Sequence, residues 1–375
     1  MRPLEGVRVA DLSRVLAGPL CTMVLADLGA DVVKVERPGV GDETRSWGPP
    51  FVGEDAAYFL SVNRGKRSVE LDLKAEEGSR AARELILRSD VLVENFRPGT
   101  MERLGLDPES LRAEHPGLVV CSITAMGERA DPRAAGYDLV MQAMTGLMSV
   151  TGPAGGEPTK VGVALLDVIA GLYAATGIAA ALRERERTGR GRHVSVSLFD
   201  AGVAALVNQA ANHLLGQEVP GPMGNAHPNI APYESLRARG GPLVLAAAND
   251  GLFARACEVL GRPALPADPR FARNADRVRN RTALRAVLEE ALATRTPDEW
   301  VRRLIEVGVP AAPVRDLAAV FGSEEGRAAI QDIEDPVRGL LRLVRSPILI
   351  DGADPTATRP PPLLGEHTHE LEEGS

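Results

Sequence analysis

Cysteine is scarce in this chain: Cys21, Cys121 and Cys257 lie too far apart in sequence for a disulfide framework or a metal knuckle. Such usage points to a reducing compartment, the cytoplasm. Positive charge is not in surplus, since 43 Lys and Arg stand against 51 Asp and Glu, and no basic stripe interleaved with aromatics occurs. That balance disfavours a nucleic-acid binder. The opening MRPLEGVRVADL lacks the apolar core of a signal peptide. Only His367 and His369 are closely spaced histidines, and an i, i+2 pair does not build a helical zinc site, so no metal is expected. A G-x-S-x-G elbow is also missing, which removes the α/β-hydrolase reading.

What is present suits a folded globule, with 44% hydrophobic and 25% charged residues, and 375 residues suggest two domains or three. Strand-like runs at 7–12, 31–36, 68–73, 90–94 and 118–123 alternate with helical patterns, clearest at 20–28 and 76–88. That order predicts a Rossmann-like α/β domain with a parallel sheet. A strand at 193–198 and a helix at 200–215 complete its first part, residues 1–215. Residues 216–232 break all periodicity and read as a linker or active-site loop. A smaller α+β domain is expected over 233–321, from a strand at 243–248 and helices at 251–260, 279–293 and 297–307. Residues 322–375 read as a helix, two short strands (340–343 and 347–350) and a proline-rich tail that returns to the large domain.

One long apolar run, residues 161–182, contains a single carboxylate, Asp167. A bare buried carboxylate is costly, so Asp167 needs hydrogen bonds or a helix end. Two roles fit it and can coexist: N-cap of a helix over 168–182, or a nucleophile kept ionised by the helix dipole. A membrane span also matches in length, but the Asp and the charged RERERTGRGR that follows argue against it. Strand, turn, helix and a second strand ending at Glu36 outline a dinucleotide-binding unit. Its turn, SRVLAGPL, lacks the G-x-G-x-x-G fingerprint. Arg37, Arg97 and Arg103 fall near strand ends, where a phosphorylated ligand would want cations. His227, in NAHPNIAPY, reads equally as a site residue or a turn histidine beside Pro228.

Several long motifs then resemble one family: LAGPLCTMVLADLGADVVKVERPGVGDETR (16–45), NRGKRSVELDLK (63–74), VENFRPG (93–99), the Asp167 run with RTGRGRHVSVSLFDA (187–201), and PPPLLGEHT (360–368). They are similar to the class III coenzyme A transferases, the group of formyl-CoA and carnitine CoA-transferases. The resemblance implies that Asp167 is the catalytic aspartate, forming an aspartyl mixed anhydride and then an aspartyl-CoA thioester. It places CoA contacts at Val15, Leu16, Arg37, Leu71, Asn95, Phe96, Arg103, Tyr137 and Asp138. Coenzyme A thioester and a small carboxylic acid are then the substrates, with no permanently bound cofactor, and the chain is expected to form an interlocked homodimer. Leu16 stands where formyl-CoA transferase has glutamine, which argues against formate or oxalate. GNAHPNIAPY and RVRNRTAL look more like the succinyl-CoA:glutarate branch, so a succinyl-CoA-like donor and a dicarboxylate acceptor are expected. Two alternatives stay open: an α-methylacyl-CoA racemase, for which a tyrosine, as at Tyr137, is a poor base at neutral pH, and a catalytically silent acyl-CoA binder.

Overall fold

The computed structural model describes residues 2–127, 131 and 136–373. The chain divides into two compact units, the first formed by Met1–Leu147, Val161–Val207 and Arg327–Ser375, the second by Met148–Lys160 and Asn208–Gly326.

The first unit is built on six strands: β1 Arg8–Asp11, β2 Asp31–Glu36, β3 Lys66–Glu70, β4 Val91–Glu94, β5 Val119–Thr124 and β6 His193–Ser197. They run in the order β3-β2-β1-β4-β5-β6, every neighbouring pair parallel. Side chains alternate across the sheet. Val9, Val32, Val91 and Val119 enter one core layer, while Ala10, Val33, Leu92 and Val120 enter the other. Both faces are therefore covered, which is why the central strands are nearly continuous apolar runs. Helix α1 (Ala17–Asp27) packs on the first face and α2 (Glu76–Leu87) on the second, through Ala82 and Ile86. Two later helices, α3 (Asp138–Met144) and α4 (Leu165–Thr188), also belong to the first face.

At 24 residues, α4 is long and apolar enough to cross a membrane. It is a core helix instead. Leu166, Ala170, Ala174, Ile178 and Leu182 are buried in the same cluster as Cys21 and Leu25 of α1. Small residues allow close approach, for a Cβ on Gly171 would lie 2.6 Å from the Ala17 carbonyl oxygen. Gly189, at φ +69°, terminates the helix in the left-handed conformation that glycine adopts freely.

The PPPLLGEHT motif has a structural role at the sheet's edge. Gly365 N donates to Ser68 Oγ, His367 N to the Ser68 carbonyl, and Glu70 N to Thr368 Oγ1, so the tail pairs with β3. An uncovered edge strand is a template for intermolecular pairing. Truncation after Pro360 should therefore lower the unfolding midpoint and give concentration-dependent aggregation in light scattering; a monodisperse variant of unchanged stability would count against this role. Before the tail, the secondary structure departs from expectation. Residues 347–350 form no strand, and Gly339–Val344 pairs instead with Ile330–Asp335, in a segment expected to be helical. Alternation buries Ile333 and Asp335 on one side of that strand, a pattern that its charged residues obscure.

The second unit has a three-stranded antiparallel sheet of Tyr233–Ala238, Gly241–Ala246 and Ala311–Pro313, with Gly241–Ala246 central. Tyr233–Ala238 was not anticipated from periodicity. Its core gathers Leu236, Leu243, Leu245, Phe253, Leu288 and Trp300. Thr296 and Glu299 form a reciprocal capping box at Pro297–Glu306. The expected helix over 279–293 is broken at Asn280 into Asn274–Arg279 and Arg281–Leu292. Around that break, Arg281 donates to the carbonyls of His227 and Ile230, and Arg277 to that of Ala231. These bonds join RVRNRTAL to NAHPNIAPY.

Candidate active site

Strand order reverses between β1 and β4, and ligands of open α/β sheets collect beyond the carboxyl ends of such strands. The chain leaves β1 through Leu12 to Leu16 and leaves β4 through Asn95 to Pro98. Asn95 ties the two exits together, accepting from Arg14 N at 2.8 Å and donating to the Arg14 carbonyl at 2.7 Å. Next to it, Val15 adopts φ +69°. A β-branched residue in that conformation stores strain of order 1–3 kcal/mol and needs surrounding support. Asp42 supplies it, its carboxylate accepting from Val15 N at 3.2 Å while pairing with buried Lys34 at 2.9 Å. Burial opposes ionisation of Asp42, yet Lys34 and the Thr44 N–H hold its carboxyl at about 2.

The same turn answers the dinucleotide reading. Ser13 N donates to Asp11, Arg14 N to Asn95 and Val15 N to Asp42. These three N–H groups are committed to side chains, whereas a pyrophosphate would need free ones. Below them, Asp11 pairs with Lys66 at 3.1 Å, both side chains fully buried, and also accepts from Ser13 and Thr22. Burial pushes Asp11 up, but Lys66, Lys34 and the hydroxyls outweigh it and hold the carboxyl below its ordinary value.

Over this floor lies a cavity of about 190 Å³, lined by Arg14, Val15, Glu43, Asn95, Phe96, Arg97, Tyr137 and Asp167, among others. Asp167 sits in the first turn of α4, but it is not the N-cap. The helix begins at Leu165, Ala164 holds the cap position without a side-chain bond, and the orphan Leu166 N–H is satisfied by Asp138 Oδ1 at 2.8 Å. A carboxylate from α3 thus performs the capping, which frees Asp167 to face the cavity. Gln142 Nε2 holds the other oxygen of Asp138 at 2.5 Å. Burial, then the neighbouring charge of Asp138, pushes the Asp167 carboxyl up to about 7. Tyr58 shares these surroundings: its phenol is pushed up to about 12 by burial, then by Asp167, Asp138 and Asp42.

Of the residues expected at the site, Val15, Asn95, Phe96, Arg97, Tyr137 and Asp167 line this one cavity. Leu16 is half-buried at the cap position of α1. Arg37 lines a smaller cavity, about 50 Å³, whose wall includes Arg14, Asp42 and Glu43. Leu71 faces a different cavity of about 510 Å³, with Arg8, Asp31 and Leu371. Arg103 is exposed, donating to Thr100 Oγ1. Asp138 is buried in its two hydrogen bonds. His227 belongs to the second unit, where its Nδ1 accepts from Asn229 N. Sequence reasoning passed over Arg14, Asp42, Glu43 and Tyr58, since nothing in their local pattern separates them from surface residues. Among the described residues, no three His, Cys, Asp or Glu side chains are grouped to hold a metal.

Fold and site together define an α/β unit with a cavity at the switch point, a βα turn without the glycine fingerprint, and a carboxylate poised near neutrality. The chain belongs to CoA-transferase family III, which matches residues 4–368. It is 41% identical to succinyl-CoA:glutarate CoA-transferase of Mus musculus, over 99% of this chain and 86% of that one. Acetyl-CoA:oxalate CoA-transferase of Acetobacter aceti is also 41% identical, over 96% and 92%. A solved CAIB/BAIF family protein from Brucella suis superposes with a TM-score of 0.86 at 43% identity, covering 100% of this chain and 99% of that one. The enzyme is thus a CoA-transferase, exchanging CoA between acyl-CoA and carboxylic acids.

Proposed function

We propose that this transferase moves CoA from a succinyl-CoA-like donor to a dicarboxylic acid, with Asp167 as the nucleophile. The observation that supports this reading is that Asp167 lines the switch-point cavity and is relieved of capping by Asp138. The glutarate and oxalate in the names of the two relatives are both dicarboxylates. An Asp167 oxygen attacks the thioester carbonyl, the C–S bond breaks, and an acyl-aspartyl anhydride and CoA thiolate result. The thiolate then attacks the aspartyl carbonyl, giving an aspartyl-CoA thioester and releasing the donor carboxylate. The acceptor carboxylate retraces these steps, restoring Asp167 and leaving the new acyl-CoA. No net proton or energy source is needed, because one thioester replaces another.

Incubating the enzyme with succinyl-CoA and labelled glutarate should give labelled glutaryl-CoA, and hydroxylamine trapping during turnover should change the mass of the Asp167 peptide. Turnover with no adduct would overturn the covalent route, and no exchange with any acid would favour a silent acyl-CoA binder. Racemisation needs a second acid/base at the cavity, and the commitment of Asp138 to Leu166 N and Gln142 weighs against it.

Only the ionised form of Asp167 attacks. With its carboxyl at about 7, kcat/KM should rise about tenfold per pH unit below that value and level off above it. A flat profile between pH 5 and 8 would exclude Asp167 as the titrating nucleophile.

A homodimer is part of the proposal. Leu139, Val140 and Met144 on α3, and Leu172 and Tyr173 on α4, are between 45% and 53% exposed, an apolar surface that a second copy would cover. Sedimentation should give twice the chain mass. A cytoplasmic setting is also part of the proposal, supported by three cysteines that are free and buried.

A further inference from the structure

We infer that Arg14 is a specificity-determining residue, which receives the distal carboxylate of the dicarboxyl acyl group; this rests on the transferase reading above. A dicarboxylate entering the Asp167 cavity brings a second negative charge into a space already walled by Asp167 and Glu43. An unpaired charge there is strongly disfavoured, so a cation must meet it. Lys34 and Lys66 are locked in fully buried pairs with Asp42 and Asp11. Arg14 and Arg97 are the cations lining this cavity among the described residues.

The geometry favours Arg14. Its guanidinium lies over the Phe96 ring, 5.4 Å from the centroid, and only Nη1 is engaged, with Glu43 Oε1 at 2.7 Å. Nε and Nη2 have no partner among the described residues, which leaves an edge of the fork open to a bidentate carboxylate. The Glu43 pair is readily exchanged, since its side chains are 46% and 39% exposed and such pairs contribute little. Glu43 Oε2 is buried without a partner, so this carboxylate is itself poorly satisfied by the pair. Arg97, by contrast, also borders the neighbouring cavity, whose lining it shares with the carboxylates of Glu94, Glu102, Asp107 and Glu109.

The test measures acceptor discrimination with butyryl-CoA as donor, so that only the acceptor carries a distal carboxylate. The ratio of kcat/KM for glutarate to that for pentanoate is compared in the wild type and in Arg14→Gln, Arg14→Lys, Glu43→Gln and Arg97→Gln, with circular dichroism checking the fold. In Arg14→Gln the ratio should fall about tenfold to a hundredfold, the scale of a charged hydrogen-bonded contact. Arg14→Lys should keep part of it, and Glu43→Gln, which removes the competing carboxylate, should raise it. An unchanged ratio in Arg14→Gln overturns the inference, as does a fall confined to Arg97→Gln. An equal loss on both acids with a raised KM for butyryl-CoA would assign Arg14 to the CoA phosphates and also overturn it. Exchange absent from the wild type with every donor and acid would instead overturn the transferase reading, and the inference with it.

Discussion

Asp167→Ala is expected to lower CoA exchange by roughly 10⁴-fold or more, because the substitution removes the atom that forms the covalent bond. The fold should survive, since the N-terminus of α4 is capped by Asp138 rather than by Asp167. Activity within tenfold of wild type would sink the proposed mechanism. The isosteric Asp167→Asn carries a second expectation, on stability. The carboxyl sits at about 7 in the folded protein against an ordinary 3.8. Below about pH 4 it is protonated in both states and its contribution is fully present; as pH rises through 7 the unfolded chain gains by ionising first, and that contribution is lost. The gap corresponds to at most about 4 kcal/mol, reduced by solvent screening of a partly exposed group. Asparagine does not titrate, so Asp167→Asn should unfold at higher denaturant than wild type at pH 8 and at the same concentration at pH 4. Equal midpoints at both pH values would show that the site stores no such cost.

Arg45→Met is expected to be strongly destabilising, by about 3–5 kcal/mol, because it removes the cation paired with buried Glu36 and one of the two that hold buried Asp55, the other being Arg338. Arg45 pairs with Glu36 at 2.7 Å and with Asp55 at 2.8 Å, and donates to the Pro362 carbonyl of the tail. Its guanidinium lies 3.7 Å from the Phe59 ring centroid. Glu36 also accepts from Asp42 N at 2.9 Å, and Asp42 supports the strained Val15. Loss of Arg45 should therefore reduce exchange as well as stability. Burial pushes Glu36 up, but Arg45 and Lys34 hold it below its ordinary value. That pair stabilises the fold above about pH 4.5 and is lost as pH falls through the folded value. Without Arg45 the Glu36 carboxyl should rise, and the variant should unfold in milder acid than wild type. A midpoint within about 0.5 kcal/mol of wild type in urea would show that the network does not depend on this arginine.

The parallel strands were legible because they are short apolar runs bounded by turn residues, in a sheet that helices cover on both faces. Helix and strand limits were less so. Helix α4 begins three residues before Val168 because Leu165 and Leu166 extend the helix, and a carboxylate 28 positions away supplies the cap. The strand Ile330–Asp335 was masked by its charged residues, of which Asp332 and Glu334 face outward while Asp335 is buried beside Ile333. At the site, Asp167 stood out as a lone charge in an apolar run, whereas Arg14 looked like any surface arginine.

By itself the sequence determined the alternation of strands and helices, the missing phosphate fingerprint and the presence of one carboxylate that needed a reason. These are local or compositional properties, set by side-chain periodicity and by the cost of burying charge. Only the tertiary structure decided which carboxylate caps α4 and which faces the cavity, that Lys34, Lys66 and Arg45 are consumed in buried pairs, and that PPPLLGEHT closes the sheet's edge. Each of these depends on groups from distant segments meeting in a low-dielectric interior. There a charge's role follows from its partners, and spacing along the chain does not encode them.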